Sequence, residues 1–121
     1  AIANPAIAPY GMASQQTLNN LNLHDELSGH IAMGNNVAQV EQFVSTGAAD
    51  AGFIAASQSR EYEDIILVDS ALYSPIEQKM VLINLNLESL AFYHFILSDS
   101  GRQIIQQNRY ALPGVDSVGA Q

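Results

Sequence analysis

The chain has 121 residues, of which 48% are hydrophobic and 13% charged, and its net charge is −8. This length suits one compact domain with a hydrophobic core. Only 4 lysines and arginines are present, which excludes a basic surface for nucleic acid or anionic membrane, and the lack of cysteine excludes disulfides, thiolate catalysis and Cys-ligated metals.

The apolar pattern alternates strands with helices along the chain. In chain order it predicts a strand at 1–3, a helix at 12–21, a helical turn at 23–27, a strand at 30–33, a helix at 37–45, strands at 51–55, 65–68 and 77–83, and helices at 87–97 and 100–108. This order is typical of an α/β fold with a mostly parallel sheet flanked by helices. We expect one such domain over 1–114, which includes the C-terminal helices, and a flexible tail at 115–121.

Two strand-to-helix junctions carry the strongest local pattern. The first is the segment 4–11 (NPAIAPYG), in which Pro5 and Pro9 keep the preceding residues extended and Gly11 permits close backbone approach. The second is the segment 34–37 (GNNV). Ligands of parallel sheets bind at the carboxyl ends of strands, where N–H groups at helix N-termini attract anions. The two junctions together predict an anion site.

Each junction also has a simpler interpretation. An ordinary strand-to-helix turn explains Pro9, Tyr10 and Gly11 when they are taken alone. Asn35 and Asn36 form a turn and a helix cap in many proteins, and we expect Asn36 to cap its helix whether or not an anion is bound. It is the pairing of the two junctions that favours a binding site.

Five segments, taken in order, carry a family resemblance. They are 1–11 (AIANPAIAPYG), 34–39 (GNNVAQ), 46–53 (TGAADAGF), 72–76 (LYSPI) and the C-terminal stretch 92–114, which ends in ALPG. Each segment alone is common, but the combination resembles the periplasmic molybdate-binding proteins of bacterial ABC importers, which are type II periplasmic binding proteins. The resemblance runs from residue 1 to about residue 114.

What the resemblance implies is one lobe of the type II periplasmic-binding-protein fold. Family members hold an oxyanion between two lobes, and this chain matches the second lobe and the C-terminal segment. We therefore expect the chain to be part of a longer protein whose first lobe supplies the remaining contacts. By position, the implied oxyanion contacts fall on the backbone N–H groups of Tyr10 and Val37, beside Asn36. The Tyr10 hydroxyl is an additional donor, because Ala55 stands where another branch of the family has tyrosine.

The implied function is capture of molybdate or tungstate in the periplasm for an ABC-transporter membrane permease. Both anions are fully deprotonated at neutral pH, so a selective site needs hydrogen-bond donors and no acceptors. Every lysine and arginine lies far in sequence from both junctions. Neutral dipoles at two helix N-termini would therefore hold the anion, without a metal or another cofactor.

Two other functions remain open. A detached lobe can act as a ligand-sensing or protein-interaction module without transport, and the coding sequence upstream of residue 1 distinguishes these cases. An enzyme has the least support, because no nucleophile, base and orienting group occur together. His24 and His30 lack partners at metal-ligand spacing, and the apolar neighbours of His94 at helical spacing favour the edge of the core over a metal site. If the first lobe is absent, we expect the exposed apolar surface to make the fragment form homodimers or exchange segments.

Overall fold

The computed structural model describes residues 1–112, apart from the side chains of Arg60 and Glu61. Its contacts group the chain into two units, Ala1–Ile76 and Glu77–Gln121. The expectation of one domain over 1–114 stays a prediction. The expected boundary at 114 and the flexible tail at 115–121 lie outside the described residues, as do the last two residues of the matching C-terminal stretch.

The first unit is built on a small parallel sheet. Strand β1 (Ile2–Ala3) pairs with β2 (Met33–Gly34), and Ile2 lies opposite Met33. On the other side of β1, the Ala1 nitrogen donates to the Ala51 carbonyl at 2.6 Å, and the Phe53 N–H donates to the Ala1 carbonyl at 3.1 Å. This alternation is the hydrogen-bond pattern of a parallel pair. The β1 segment therefore lies between β2 and residues 51–53.

Three helices belong to this unit: α1 (Pro9–Asn20), α2 (His24–Leu27) and α3 (Val37–Ser45). The α1 helix begins three residues before the predicted start, because proline is well suited to the first position of a helix. The α3 helix has the predicted bounds. Short 3₁₀ turns occur at Ser28–His30, Ala56–Glu61 and Ser70–Leu72.

The core of the first unit is made largely of small side chains. The buried face of α1 carries Gly11, Ala13, Ser14 and Thr17, which allow the helix to lie close to β1. The two hydroxyls on this buried face form hydrogen bonds within the helix. The Ser14 hydroxyl donates to the Tyr10 carbonyl at 2.7 Å, and the Thr17 hydroxyl donates to the Ala13 carbonyl at 2.9 Å. The buried hydrophobic residues are Ile2, Ala3, Ala13, Leu18, Val40 and Ala55.

The second unit contains helices α4 (Leu87–Leu97) and α5 (Asp99–Gln107), which pack against each other. Their caps are Asn86 and Ser98, whose side chains accept backbone N–H groups from the first turn. The α4 helix has the predicted bounds, and although most of its residues are apolar none is buried. Within residues 1–112, no helix is both long and apolar enough to cross a membrane.

Four of the predicted strands were wrong in position or in kind. Of the strand predicted at 30–33, only Met33 lies in β2, and His30 ends the 3₁₀ turn Ser28–His30. Residues 51–55 keep the backbone bonds to Ala1 without forming a full strand. The segments 65–68 and 77–83 form neither helix nor strand, and Ile66 and Ile83 are each 91% exposed. Strands form only where a neighbour supplies a ladder, and in the described part of the chain no segment pairs with these two.

Candidate functional site

The first junction is organised by Asn4, which follows β1 directly. Its side-chain oxygen accepts the Ala6 N–H at 3.0 Å, and its backbone carbonyl accepts the N–H groups of Ile7 at 3.2 Å and Ala8 at 2.9 Å. The Ala8 carbonyl then accepts the Met12 N–H at 3.1 Å, which opens the hydrogen-bond ladder of α1. These bonds turn the chain sharply and place the first turn of α1 at the end of β1.

Gly11 permits this close approach, as its place in the sequence pattern predicted. A Cβ atom built on Gly11 would overlap the carbonyl oxygen of Ala3 and would lie 2.8 Å from the Asn4 carbonyl carbon. Real Cβ atoms essentially never come this close to another heavy atom. The backbone of α1 therefore lies directly against the end of β1, with no space for a side chain between them.

The second junction is held by a reciprocal pair of bonds at the start of α3. Asn36 is the N-cap, and its side-chain oxygen accepts the Gln39 N–H at 2.9 Å, as predicted. In return, the Gln39 side-chain oxygen accepts the Asn35 N–H at 2.7 Å. This arrangement resembles a capping box shifted by one residue. It fixes residues 35–36 against the first turn of α3.

The two junctions lie side by side. The Asn4 N–H donates to the Gly34 carbonyl at 2.7 Å, which extends the pairing of β1 with β2 into both loops. Tyr10 is the second residue of α1 and Val37 is the first residue of α3. The structure thus brings Tyr10, Asn36 and Val37 to the carboxyl edge of adjacent parallel strands, where ligands of such sheets bind.

A third loop follows residues 51–53 at this edge and contains Ala55. Ala55 is buried, and its backbone N–H donates to the side-chain oxygen of Gln58 at 3.2 Å. Gln58 in turn donates to the Glu41 carboxylate at 2.9 Å, and the Tyr62 hydroxyl donates to the same carboxylate at 3.2 Å. These bonds tie the third loop to α3.

Several N–H groups at the two helix N-termini lack a protein acceptor. Among the residues that the structure describes, this holds for the N–H groups of Gly11, Val37 and Ala38. The first residue of α1, Pro9, has no N–H, so Tyr10 carries the first backbone donor of that helix. Helix N-termini carry about half a positive charge, so both first turns attract an anion.

The electrostatics of these two first turns differ from those of the second unit. Neither α1 nor α3 has an acidic residue in its first turn, whereas α4 has Glu88 and α5 has Asp99. Residues 1–59 also contain no lysine or arginine. The donors in these two first turns are therefore uncharged N–H groups, and neither turn carries a carboxylate. Within the part of the chain that is described, no cluster of histidine and acidic side chains is arranged to hold a metal ion.

Sequence reasoning did not identify the two residues that hold the loops, Asn4 and Gln39. For Gln39 a pattern was available: Asn36 is followed three residues later by glutamine, as in a capping box. For Asn4 the pattern was weaker, since Asn before Pro only indicates a turn. The candidate ligand contacts Tyr10, Val37 and Asn36 stay predictions, now with a defined geometry around them.

The comparisons with known proteins agree with this architecture. A protein identified as molybdate-binding protein ModA of Azotobacter vinelandii is 35% identical over 121 residues, which cover 92% of this chain and 47% of that protein. ModA of Rhodobacter capsulatus is 32% identical over 115 residues, which cover 91% of this chain and 46% of that protein. The chain thus spans about half the length of the curated relatives that it matches.

Structural comparison gives the same result. The solved structure of the Azotobacter vinelandii periplasmic molybdate-binding protein superposes with a TM-score of 0.81 at 32% identity, covering 93% of this chain and 53% of that one. This similarity confirms the α/β fold of a periplasmic binding protein. Residues 1–110 match the family model described as bacterial extracellular solute-binding protein, and the chain belongs to that family.

Proposed function

We propose that this chain forms the part of an ABC-transporter solute-binding protein that binds a tetrahedral oxyanion, molybdate or tungstate, through backbone N–H groups. The observation that carries the proposal is the joined pair of helix N-termini at adjacent strand ends, free of acidic residues in their first turns. The backbone N–H groups of Tyr10 and Val37 are the principal donors, and the Tyr10 hydroxyl is an additional one. Asn36 contributes by fixing the first turn of α3.

The chemistry of the donors fits this class of ligand. Molybdate and tungstate carry no protons at neutral pH, so every oxygen accepts hydrogen bonds and none donates. Phosphate carries protons near pH 7 and requires an acceptor, which a ring of N–H groups does not offer. Sulfate has the same protonation state as molybdate and is smaller, so it is discriminated by the size of the site rather than by donor chemistry.

The site requires donors from outside this chain. Because the chain spans about half of its relatives, the remaining half of the full-length gene product supplies the other contacts and encloses the anion. The product acts in the periplasm, where it delivers the anion to a membrane permease. It needs no cofactor and catalyses no reaction. Its similarity to transport proteins favours this function over a sensing or interaction module.

Titration calorimetry of the full-length gene product with molybdate, tungstate, sulfate and phosphate tests the proposal. We expect tight binding of molybdate and tungstate, weaker binding of sulfate and none of phosphate. The isolated 121-residue chain is the matched control. It should bind molybdate far more weakly, because its donors compete with water at an open edge. A full-length product that binds neither molybdate nor tungstate would refute the proposal.

A further inference from the structure

All three loops at the carboxyl edge of the sheet share one feature. In each, a neutral side-chain amide oxygen accepts a backbone N–H of the loop. The pairs are Ala6 N–H with Asn4 at 3.0 Å, Asn35 N–H with Gln39 at 2.7 Å and Ala55 N–H with Gln58 at 3.2 Å. Glutamate or aspartate would accept the same bonds, and each would add a negative charge at this edge. The use of amides here is notable in a chain whose net charge is −8.

From this pattern we infer that Gln39 is a positioning residue of the oxyanion site, and that its neutrality is what the site requires. The inference rests on the proposed function. Gln39 removes the Asn35 N–H from the donors at this edge and holds residues 35–36 in place. The N–H groups of Val37 and Ala38 then remain as the donors of this helix end, with no protein acceptor in the described part of the chain.

The position of Gln39 explains why charge matters there. Gln39 is the third residue of α3, so its side chain lies within the same turn as the Val37 and Ala38 donors. Glutamate at this position of a helix is ordinarily favourable, because it can make the same bond and interacts well with the helix dipole. A dianion bound at this turn reverses that preference, because the carboxylate would repel it within a few ångströms. Fold stability and ligand affinity therefore make opposite demands on this residue.

The variant Gln39→Glu tests the inference in the full-length gene product. The matched control is Gln42→Glu, which makes the same charge change at an exposed position one turn further along α3. We expect Gln39→Glu to unfold at an equal or higher denaturant concentration than wild type. Its molybdate affinity, measured by calorimetry, should fall at least about tenfold. Gln42→Glu should bind within about threefold of wild type, because its charge lies further from the donors.

A second variant, Gln39→Met, separates position from charge. Methionine keeps the length of the side chain and removes the oxygen. The Asn35 amide should then exchange faster with deuterium, and molybdate affinity should fall about three- to tenfold, the usual effect of one lost hydrogen bond. Gln39→Met should therefore weaken binding less than Gln39→Glu, although Gln39→Glu preserves the hydrogen bond.

Two results would overturn the inference while the proposed function stands. One is equal affinity in Gln39→Glu and wild type, and the other is an equal loss in Gln39→Glu and Gln42→Glu. A loss of affinity in Gln39→Glu that is matched by a loss of stability would assign Gln39 a structural role alone, which also contradicts the inference. If wild type binds none of the oxyanions, both the inference and the proposed function fail.

Discussion

Replacing Gly11 by alanine tests the close contact between α1 and β1. The added Cβ would meet the Ala3 carbonyl oxygen, and two further backbone atoms lie within 3.0 Å, one of them the Asn4 carbonyl carbon at 2.8 Å. Backbone atoms cannot rotate away as the end of a flexible side chain can. The first turn of α1 must therefore shift away from the strand, and the Tyr10 N–H shifts with it.

The expected magnitude follows from two opposing effects. In an unhindered helix, alanine in place of glycine stabilises a protein by about 0.5–1 kcal/mol. Overpacking a closely packed interior typically costs about 1–3 kcal/mol, and the rigid backbone neighbours of Gly11 favour the upper end of that range. We expect a net destabilisation of about 2 kcal/mol. Molybdate affinity in the full-length gene product should fall as well, because the α1 donors are displaced.

The assay is urea denaturation followed by circular dichroism, with calorimetry for binding. Gly29→Ala is the matched control, since a Cβ on Gly29 meets nothing within 4 Å. This control should be neutral or slightly stabilising, and it should bind molybdate like wild type. If Gly11→Ala proves as stable as the control, the close contact described for α1 and β1 is incorrect.

Three further predictions concern the ligand contacts and the second unit. Tyr10→Phe should weaken molybdate binding by about 1.5–3 kcal/mol, or roughly ten- to hundredfold, if its hydroxyl donates to the dianion; unchanged affinity in calorimetry would leave only the backbone N–H as its contribution. Asn36→Ala should cost about 0.5–2 kcal/mol of stability and also lower affinity, whereas Asn86→Ala, the same change at the cap of α4, should cost similar stability with affinity intact. Equal affinities in these two variants would contradict a role for Asn36 at the site. The isolated chain should dimerise or exchange segments at high concentration in sedimentation experiments, because Phe92 is 61% and Phe95 45% exposed on α4; a strict monomer would argue against an uncovered apolar surface.

Helices were predicted from sequence more accurately than strands. The bounds of α3 and α4 follow from the sequence because their signals are local: an apolar period near 3.6 in α3, a mostly apolar run in α4, and an asparagine cap at Asn36 or Asn86. The strands predicted at 65–68 and 77–83 were wrong because an apolar run specifies a strand only when a partner supplies the ladder. Such a partner is usually distant in sequence, and the pattern of one segment does not show whether it is present.

The candidate site was predictable in part for a related reason. Tyr10 and Val37 each lie where a short apolar run gives way to a helix, so parallel pairing of the two runs brings both helix starts to one edge. The bond between Asn4 and Gly34 follows from that register, which the sequence alone does not specify. The bond from the Asn35 N–H to the Gln39 side chain depends on a side-chain conformation. The sequence pattern predicted only the Asn36 cap.

The central position of β1 has a consequence for folding during synthesis. Residues 1–3 lie between β2 and residues 51–53, yet they are made long before either partner. Pairing requires closure of long loops first, which slows the formation of such contacts. During synthesis, the partners of β1 within this chain therefore become available only once residue 33, and then residue 53, has been made.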